Sequence, residues 1–436
     1  MIDRTVRVGL CGLGTVGQGV LALLSEGGET IAARAGAQLT VIHVATRTPK
    51  PDVDTGGAKD SRDVFDVARD PDVDVLIELI GGTTVARDLV VEALKHNKHV
   101  VTANKALLAD HGQELFALAE QQGVSLRFEA AVAGGIPVIE TVKASLAANE
   151  VTSVAGIING TGNFILTAMA SEGRAFDDVL AEAQALGYAE ADPTFDVDGT
   201  DAAQKLVLLA SLAFGAAISS DAPYKQGVDS VAPEDLEFAR ELGYRIKHLG
   251  IAKRDGDALQ LRVHPTLIPE GKAIANVDGV LNAVMINANG VGELLLVGPG
   301  AGSRPTASAV CGDLVSIAGA LARGETPAAP SMSVPVAKLD TVPIADMQDV
   351  SSAWYLRLNA EDKPGVMAEI TTCLSEQSIG IESLIQKPDA SASADVPVII
   401  LTDIATTRSL SAAVSAIEAM PSVVGDVVRL RVENFH

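Results

Sequence analysis

Residues 187–205 read GYAEADPTFDVDGTDAAQK, with four carboxylates (Glu190, Asp192, Asp196, Asp198) in a polar loop and then Asp201 and Lys205 four residues apart. Carboxylates at this density, with one lysine, bind polar or cationic partners, and a lysine can exchange a proton with a ligand oxygen. A spacing of four places Asp201 and Lys205 on one helix face, one turn apart. Such a pair is ordinarily a solvated surface contact of small consequence. The flanks argue for more, because residues 206–210 are apolar all round, as in a buried helix. An EF-hand register begun at Asp196 lacks the sixth-position glycine and the final glutamate, so calcium is disfavoured, while a monovalent ion or magnesium stays open.

A second constellation, Gly12, Gly14 and Gly17, follows an apolar run at 5–10 and opens the amphipathic stretch 20–24. Strand, GxGxxG, helix is the context in which the motif binds a dinucleotide. Gly12 makes the turn, Gly14 admits the pyrophosphate and Gly17 lets helix and strand pack closely. The contacts expected there are Gly12, Leu13, Gly14, Thr15, Val16 and Gly17. The next strand, 38–45, ends at Thr46 and Arg47, with no acid before Asp52. An arginine in place of the ribose-binding acid favours NADP, with NAD also possible. Lys105 follows the strand 99–102, and the carboxyl ends of strands are where such sheets bind ligands.

The elements that must position these residues alternate strand and helix: strands at 73–80, 99–102 and 124–129, and helices at 85–95 and 106–121. A helix is expected over 137–147, with Pro137 first, and a strand over 151–158. A helix over 177–186 stops at Gly187. Shorter strands at 259–264, 283–286 and 293–297 suggest a mixed sheet at a subunit interface. Glycines 298, 300 and 302 precede a helix over 306–322 that could return to the nucleotide domain.

Composition narrows the class. The 436 residues need two or three domains, and 47% apolar with only 3% aromatic content suits helix-covered parallel strands. A net charge of −23 argues against nucleic acid or an anionic membrane as partner. Three scattered cysteines and seven histidines without ligand spacing imply a reducing compartment and no structural zinc. No apolar run reaches the roughly 18–20 residues of a membrane span. A cytoplasmic protein is expected.

Residues 323–350, rich in Pro, Ala and Ser, read as a linker, and 351–436 show a strand–helix–strand–strand–helix–strand order. The fold class expected is therefore α/β: a Rossmann-type domain over 1–130 (with 306–322 returning to it), an α+β substrate and dimerisation domain over 131–305, and a ferredoxin-like βαββαβ domain over 351–436.

In order along the chain stand VGLCGLGTVGQGV, ELIGG, VVTANKALLA, EAAVAGGIPVIET, INGTGNFILT, GYAEADPTFDVDGTDAAQKL and GPGAGSRPTASAV. On these motifs the chain resembles the homoserine dehydrogenases, in the form with a carboxy-terminal ACT domain. That family interconverts L-homoserine and L-aspartate 4-semialdehyde with NAD(P), on the route to threonine, methionine and isoleucine. The resemblance implies that Lys205 is the acid/base residue with Asp201 beside it. It puts Glu190 and Asp196 at the substrate ammonium, with Gly187 and Thr161 nearby, and Lys105 between cofactor and substrate. It also implies a cofactor contact at Gly302 and a sodium (or other monovalent cation) site at Glu129, Val132, Gly134 and Ile136. The turn at Asp362, Pro364 and Gly365 looks like the ACT ligand loop, implying threonine as effector and a homodimer or homotetramer. A semialdehyde dehydrogenase sharing substrate and cofactor would need a cysteine nucleophile, yet Cys11 sits in the glycine loop and Cys311 inside a helix.

Overall fold

Six parallel strands form the nucleotide sheet in the computed structural model, which describes residues 4–325, 330–386 and 395–435. They are β1 (Thr5–Cys11), β2 (Gln38–Ala45), β3 (Lys59–Ser61), β4 (Val75–Glu78), β5 (His99–Thr102) and β6 (Leu126–Arg127). Their order β3-β2-β1-β4-β5-β6 is that of a doubly wound sheet, whose order reverses at β1 and β4. The helix α1 (Thr15–Glu26) leaves β1 through the glycine turn.

The chain forms two compact units, each built from three stretches. The first comprises Met1–Gly160, Asp201–Pro223 and Val280–Val342; the second comprises Thr161–Thr200, Tyr224–Gly279 and Pro343–His436. In the first, the helix Ser303–Ala322 packs into the nucleotide core, its Ala307, Val310, Leu314 and Ile317 clustering with Val8, Leu10, Val75 and Ile77. Gly19 of α1 permits this closeness, since a Cβ there would stand 2.8 Å from the Ser303 carbonyl oxygen. This 20-residue helix is apolar and long enough to cross a membrane by length and composition, longer than any run expected, yet half of it is buried. Three antiparallel strands, β7 (Val151–Ile157), Leu281–Ala288 and Gly292–Pro299, complete this unit's second sheet.

Two expectations here change. The strand expected over 124–129 is only Leu126–Arg127, because Glu129 turns inward and its carboxylate accepts the N–H groups of Ile139 (2.8 Å) and Glu140 (2.9 Å). The helix expected over 137–147 is an α-turn at Val138–Glu140 that widens over Thr141–Ser145, where the Leu146 N–H reaches the Thr141 carbonyl.

In the second unit, Tyr244–Asp255 and Ala258–Pro269, twelve residues each, form a hairpin. Ala258–Pro269 continues in parallel to Val423–Val432. The strand Val423–Val432 belongs to a four-stranded set ordered Val423–Val432, Ser351–Glu361, Asp395–Thr402, Ile381–Gln386, with helices Val366–Glu376 and Thr407–Glu418. That is the ferredoxin-like order. Alternation assigns its faces: Trp354, Leu356 and Leu358 meet Ile370, Leu410 and Ile417 of the helices, while Tyr355, Leu401 and Leu430 meet Ile165, Leu166 and Phe238. Of the expected linker, residues 326–329 lie outside the described residues.

Asp235, fully buried, fastens this second face. It accepts the Tyr355 hydroxyl (2.9 Å) and a bidentate pair from Arg357 (2.5 and 3.0 Å). Replacing it with alanine leaves a half-buried guanidinium and a buried tyrosine hydroxyl without their partner, so Asp235→Ala is expected to cost about 2–4 kcal/mol, read as a lower urea midpoint. An unchanged midpoint would contradict this packing.

Candidate active site

The helix Thr200–Phe214 starts with Asp201 in its first turn, where the helix dipole favours an anion. Its following residues, from Leu206 to Leu212, are buried, which explains the continuous apolar run. Lys205 Nζ donates to Asp201 Oδ2 at 2.7 Å and to the Ile158 carbonyl at 2.8 Å. Lys105 Nζ approaches the other oxygen, Oδ1, at 3.2 Å, and Asn159 Nδ2 donates to Oδ2 at 2.9 Å. The pair is no solvated surface contact: the side chains of Asp201 and Lys205 are 11% and 13% exposed. Burial alone pushes the Asp201 carboxyl up, but the charges of Lys205 and Lys105 and the bonds from Lys205 and Asn159 outweigh it and hold it at about 2. Lys205 spends two N–H groups on Asp201 and Ile158, and an ammonium has a third.

Lys105 opens the helix Lys105–Gln122 directly after β5. Its position is set by side chains that sequence reasoning did not single out. Asn104 caps the helix by accepting the Leu107 N–H (3.1 Å) and donates to the Gly82 carbonyl (2.7 Å). Buried Glu78, at the end of β4, accepts the Thr102 hydroxyl at 2.6 Å and the Ile80 N–H at 2.9 Å. Thr102 in turn accepts the Asn104 N–H. Their prior signals were their places in the ELIGG and VVTANKALLA stretches and a glutamate in an otherwise apolar strand, a residue type that is seldom buried unpaired.

The glycine turn has the geometry a dinucleotide needs. Gly12 has φ +104°, and a Cβ on it would fall 2.4 Å from the Leu79 carbonyl oxygen. One on Gly17 would fall 2.1 Å from the Gly12 carbonyl oxygen, whereas one on Gly14 would meet nothing within 4 Å. Gly14 thus faces open space at the amino terminus of α1, whose first N–H groups lack helical partners. Leu13, Thr15 and Val16 complete the turn. Gly302, with φ +110°, heads the helix Ser303–Ala322, and Ser303 Oγ donates to the Thr15 carbonyl at 2.7 Å. Two helix amino termini therefore adjoin. Arg47 is exposed just beyond β2, and Arg62, at the end of neighbouring β3, donates to the Thr46 carbonyl at 3.1 Å. Arg62 adds a second guanidinium at this strand end, legible only once β3 is paired to β2.

Around the expected cation site, Glu129 is buried and both its oxygens accept N–H groups, while burial raises its pKa. Gly134 has φ +53° and packs against Gly300, and Val132 and Ile136 flank it, buried. Among the described residues, no group of three or more His, Cys, Asp or Glu could hold a metal. A site of one carboxylate and carbonyl oxygens has a different donor set.

In the second unit the acidic loop divides its labour. Asp192 accepts Thr194 Oγ1 (2.6 Å) and Asp198 accepts the Thr200 N–H (2.8 Å), so both shape turns. Glu190 is exposed and Asp196 half-buried. Gly187 (φ +75°) ends the helix Phe176–Ala185, and Thr161 Oγ1 donates to the Tyr188 carbonyl at 2.7 Å. Cys11 and Cys311 are buried free thiols whose pKa values burial raises, to about 11 for Cys311, so neither offers the thiolate a cysteine-dependent dehydrogenase needs.

The homoserine dehydrogenase NAD-binding domain pattern matches residues 12–129, and the homoserine dehydrogenase pattern matches 137–315. The homoserine dehydrogenase of Pseudomonas aeruginosa is 51% identical over 99% of this chain and all of its own. The chain belongs to the homoserine dehydrogenase family. The corresponding enzyme of Neisseria gonorrhoeae is 44% identical over 99% of the chain. The crystal structure of a homoserine dehydrogenase from Thiobacillus denitrificans superposes with a TM-score of 0.94 at 47% identity, covering 99% of both chains. A hyperthermophilic archaeal homoserine dehydrogenase solved in complex with NADPH matches 72% of the chain, with a TM-score of 0.61 and 25% identity. As a homoserine dehydrogenase the chain is an NAD(P)-dependent oxidoreductase whose substrates are homoserine and aspartate semialdehyde.

The charge arrangement has a pH signature. The folded pKa of Asp201 lies below the ordinary 3.8. Its ionised form therefore contributes stability above about pH 4, which is lost as pH falls toward 2. Asp201→Asn should lower the denaturation midpoint at neutral pH, with the gap to wild type closing as the acid range is entered. A gap independent of pH would contradict the depressed carboxyl.

Proposed function

We propose that Lys205 is the proton donor and acceptor of homoserine dehydrogenation, with Asp201 orienting it. The observation that carries this reading is the sharing of one buried carboxylate by Lys205 and Lys105, which holds two cations at the carboxyl ends of β5 and β7. The nicotinamide supplies or takes the hydride. In reduction of the semialdehyde, Lys205 gives its third N–H proton to the carbonyl oxygen as the alkoxide develops. In oxidation it takes the hydroxyl proton of homoserine, after releasing one of its own. Lys105 stands between cofactor and substrate. Glu190 and Asp196 bind the substrate ammonium, with Gly187 and Thr161 shaping that end, because a zwitterion needs an anion there.

Gly12 to Gly17 and Gly302 hold the pyrophosphate, and Arg47 with Arg62 favours NADP over NAD through the 2′-phosphate. The archaeal relative solved with NADPH supports that cofactor. Sodium, or another monovalent cation, is held by Glu129 and the carbonyl oxygens of Val132, Gly134 and Ile136. The ferredoxin-like unit acts as an ACT domain that binds threonine near Gly365 and couples homo-oligomer assembly to feedback control. The enzyme then works in the cytoplasm on the route to threonine, methionine and isoleucine.

Lys205→Ala is expected to lower kcat by at least about a thousandfold while NADPH binding by fluorescence titration stays at the wild-type level. Near-wild-type turnover would overturn the role of Lys205. In the same assays, Arg47→Ala should raise the KM for NADPH about tenfold and that for NADH little, the loss of one charge-assisted contact. Equal changes for both cofactors would place Arg47 away from the 2′-phosphate.

A further inference from the structure

Asn282 lies at the head of the strand Leu281–Ala288, 1% exposed and opposite Gly298 in the antiparallel register. Neither its amide nitrogen nor its carbonyl oxygen has a hydrogen-bond partner among the described residues. A carboxamide carries two N–H donors and one acceptor oxygen. Burying them unpaired lowers stability, and folded proteins avoid it almost everywhere outside functional sites. The side chain lies flat against Gly300, where a Cβ would fall 2.0 Å from its amide nitrogen and 2.3 Å from its oxygen. From the other side the same loop is held by the turn at 132–136. The Gly135 N–H donates to the Pro299 carbonyl at 3.0 Å, and a Cβ on Gly134 would fall 2.3 Å from the Gly300 carbonyl oxygen. Two residues further on, Gly302 heads the helix tied through Ser303 to the start of α1.

We propose that Asn282 is a positioning residue for the loop 298–302 in nucleotide binding. When the dinucleotide engages the loop, small backbone shifts at Gly300 to Gly302 bring peptide N–H and C=O groups onto the waiting carboxamide. The unpaired amide is thus stability withheld from the cofactor-free enzyme and returned on binding. The inference rests on the assignment of Gly302 to the cofactor made above.

The test uses the full chain, with Asn282→Leu as the near-isosteric apolar replacement and Asn282→Ala as a smaller one. Thermal midpoints are measured with and without saturating NADPH, alongside KM and kcat. The expected result for Asn282→Leu is a cofactor-free midpoint raised by roughly 2–4 °C, with a smaller NADPH-induced shift and a KM for NADPH up about tenfold. Asn282→Ala should show the same loss of the NADPH-induced shift even where a cavity lowers its own midpoint. Hydrogen exchange on the wild type adds a reading independent of any variant, in which the amides of 300–302 gain protection with NADPH. A lowered cofactor-free midpoint in Asn282→Leu with the wild-type NADPH shift and KM retained would overturn the proposal. So would unchanged exchange at 300–302 when NADPH binds normally. A wild-type chain that shows no NADPH shift at all would instead overturn the cofactor assignment beneath it.

Discussion

One buried carboxylate, Asp201, sets the conditions for the rest of the site. A lone anion at 11% exposure would be driven toward protonation by burial. Two lysines and an asparagine, brought from three separate elements, reverse that and keep it charged. The arrangement has a cost, since removing one partner of a buried ion pair leaves the other uncompensated. That cost explains why the surroundings are so fully determined: Asn104 caps the Lys105 helix, Glu78 and Thr102 brace Asn104, and the Ile158 carbonyl fixes Lys205. In the proposed role, an ammonium with one N–H not spent on these partners is the form that carbonyl reduction needs.

The nucleotide side depends on close backbone approach. Gly12 and Gly17 let β1, β4 and α1 meet at distances no side chain tolerates, and Gly19 does the same for α1 and the helix Ser303–Ala322. The outcome is a pair of adjoining helix amino termini, whose first N–H groups lack helical partners, in a chain whose net charge is −23. Local dipoles and guanidinium groups can oppose such a global field.

Much of this was legible in the residues themselves. The glycine spacing announced the β1–α1 turn, the i, i+4 spacing announced the Asp201–Lys205 pair, and the terminal alternation announced the ferredoxin-like unit. What was hidden depended on tertiary pairing. Lys105 and Asp201 are 96 positions apart, and nothing local says that they form an ion pair. Arg62 joins Arg47 only through the parallel register of β2 and β3. The strand Tyr244–Asp255 shows no alternation because Ile246 to Ala252 are buried on both faces, and its buried Lys247 donates to the Val277 carbonyl and Asp278, partners that only the fold brings to it. Glu129 belonged to a strand by pattern and became a turn because its carboxylate finds two N–H groups.

The central claim is that Asp201 and Lys205 act as one unit in proton transfer, and a double-mutant cycle on kcat for semialdehyde reduction tests it most directly. Asp201→Asn, Lys205→Met and the double variant are compared at saturating NADPH, with cofactor binding checked in each. The expected result is strong non-additivity, with the double variant no slower than Lys205→Met by more than about twofold. Losses that multiply would contradict the account and make Asp201 and Lys205 independent contributors.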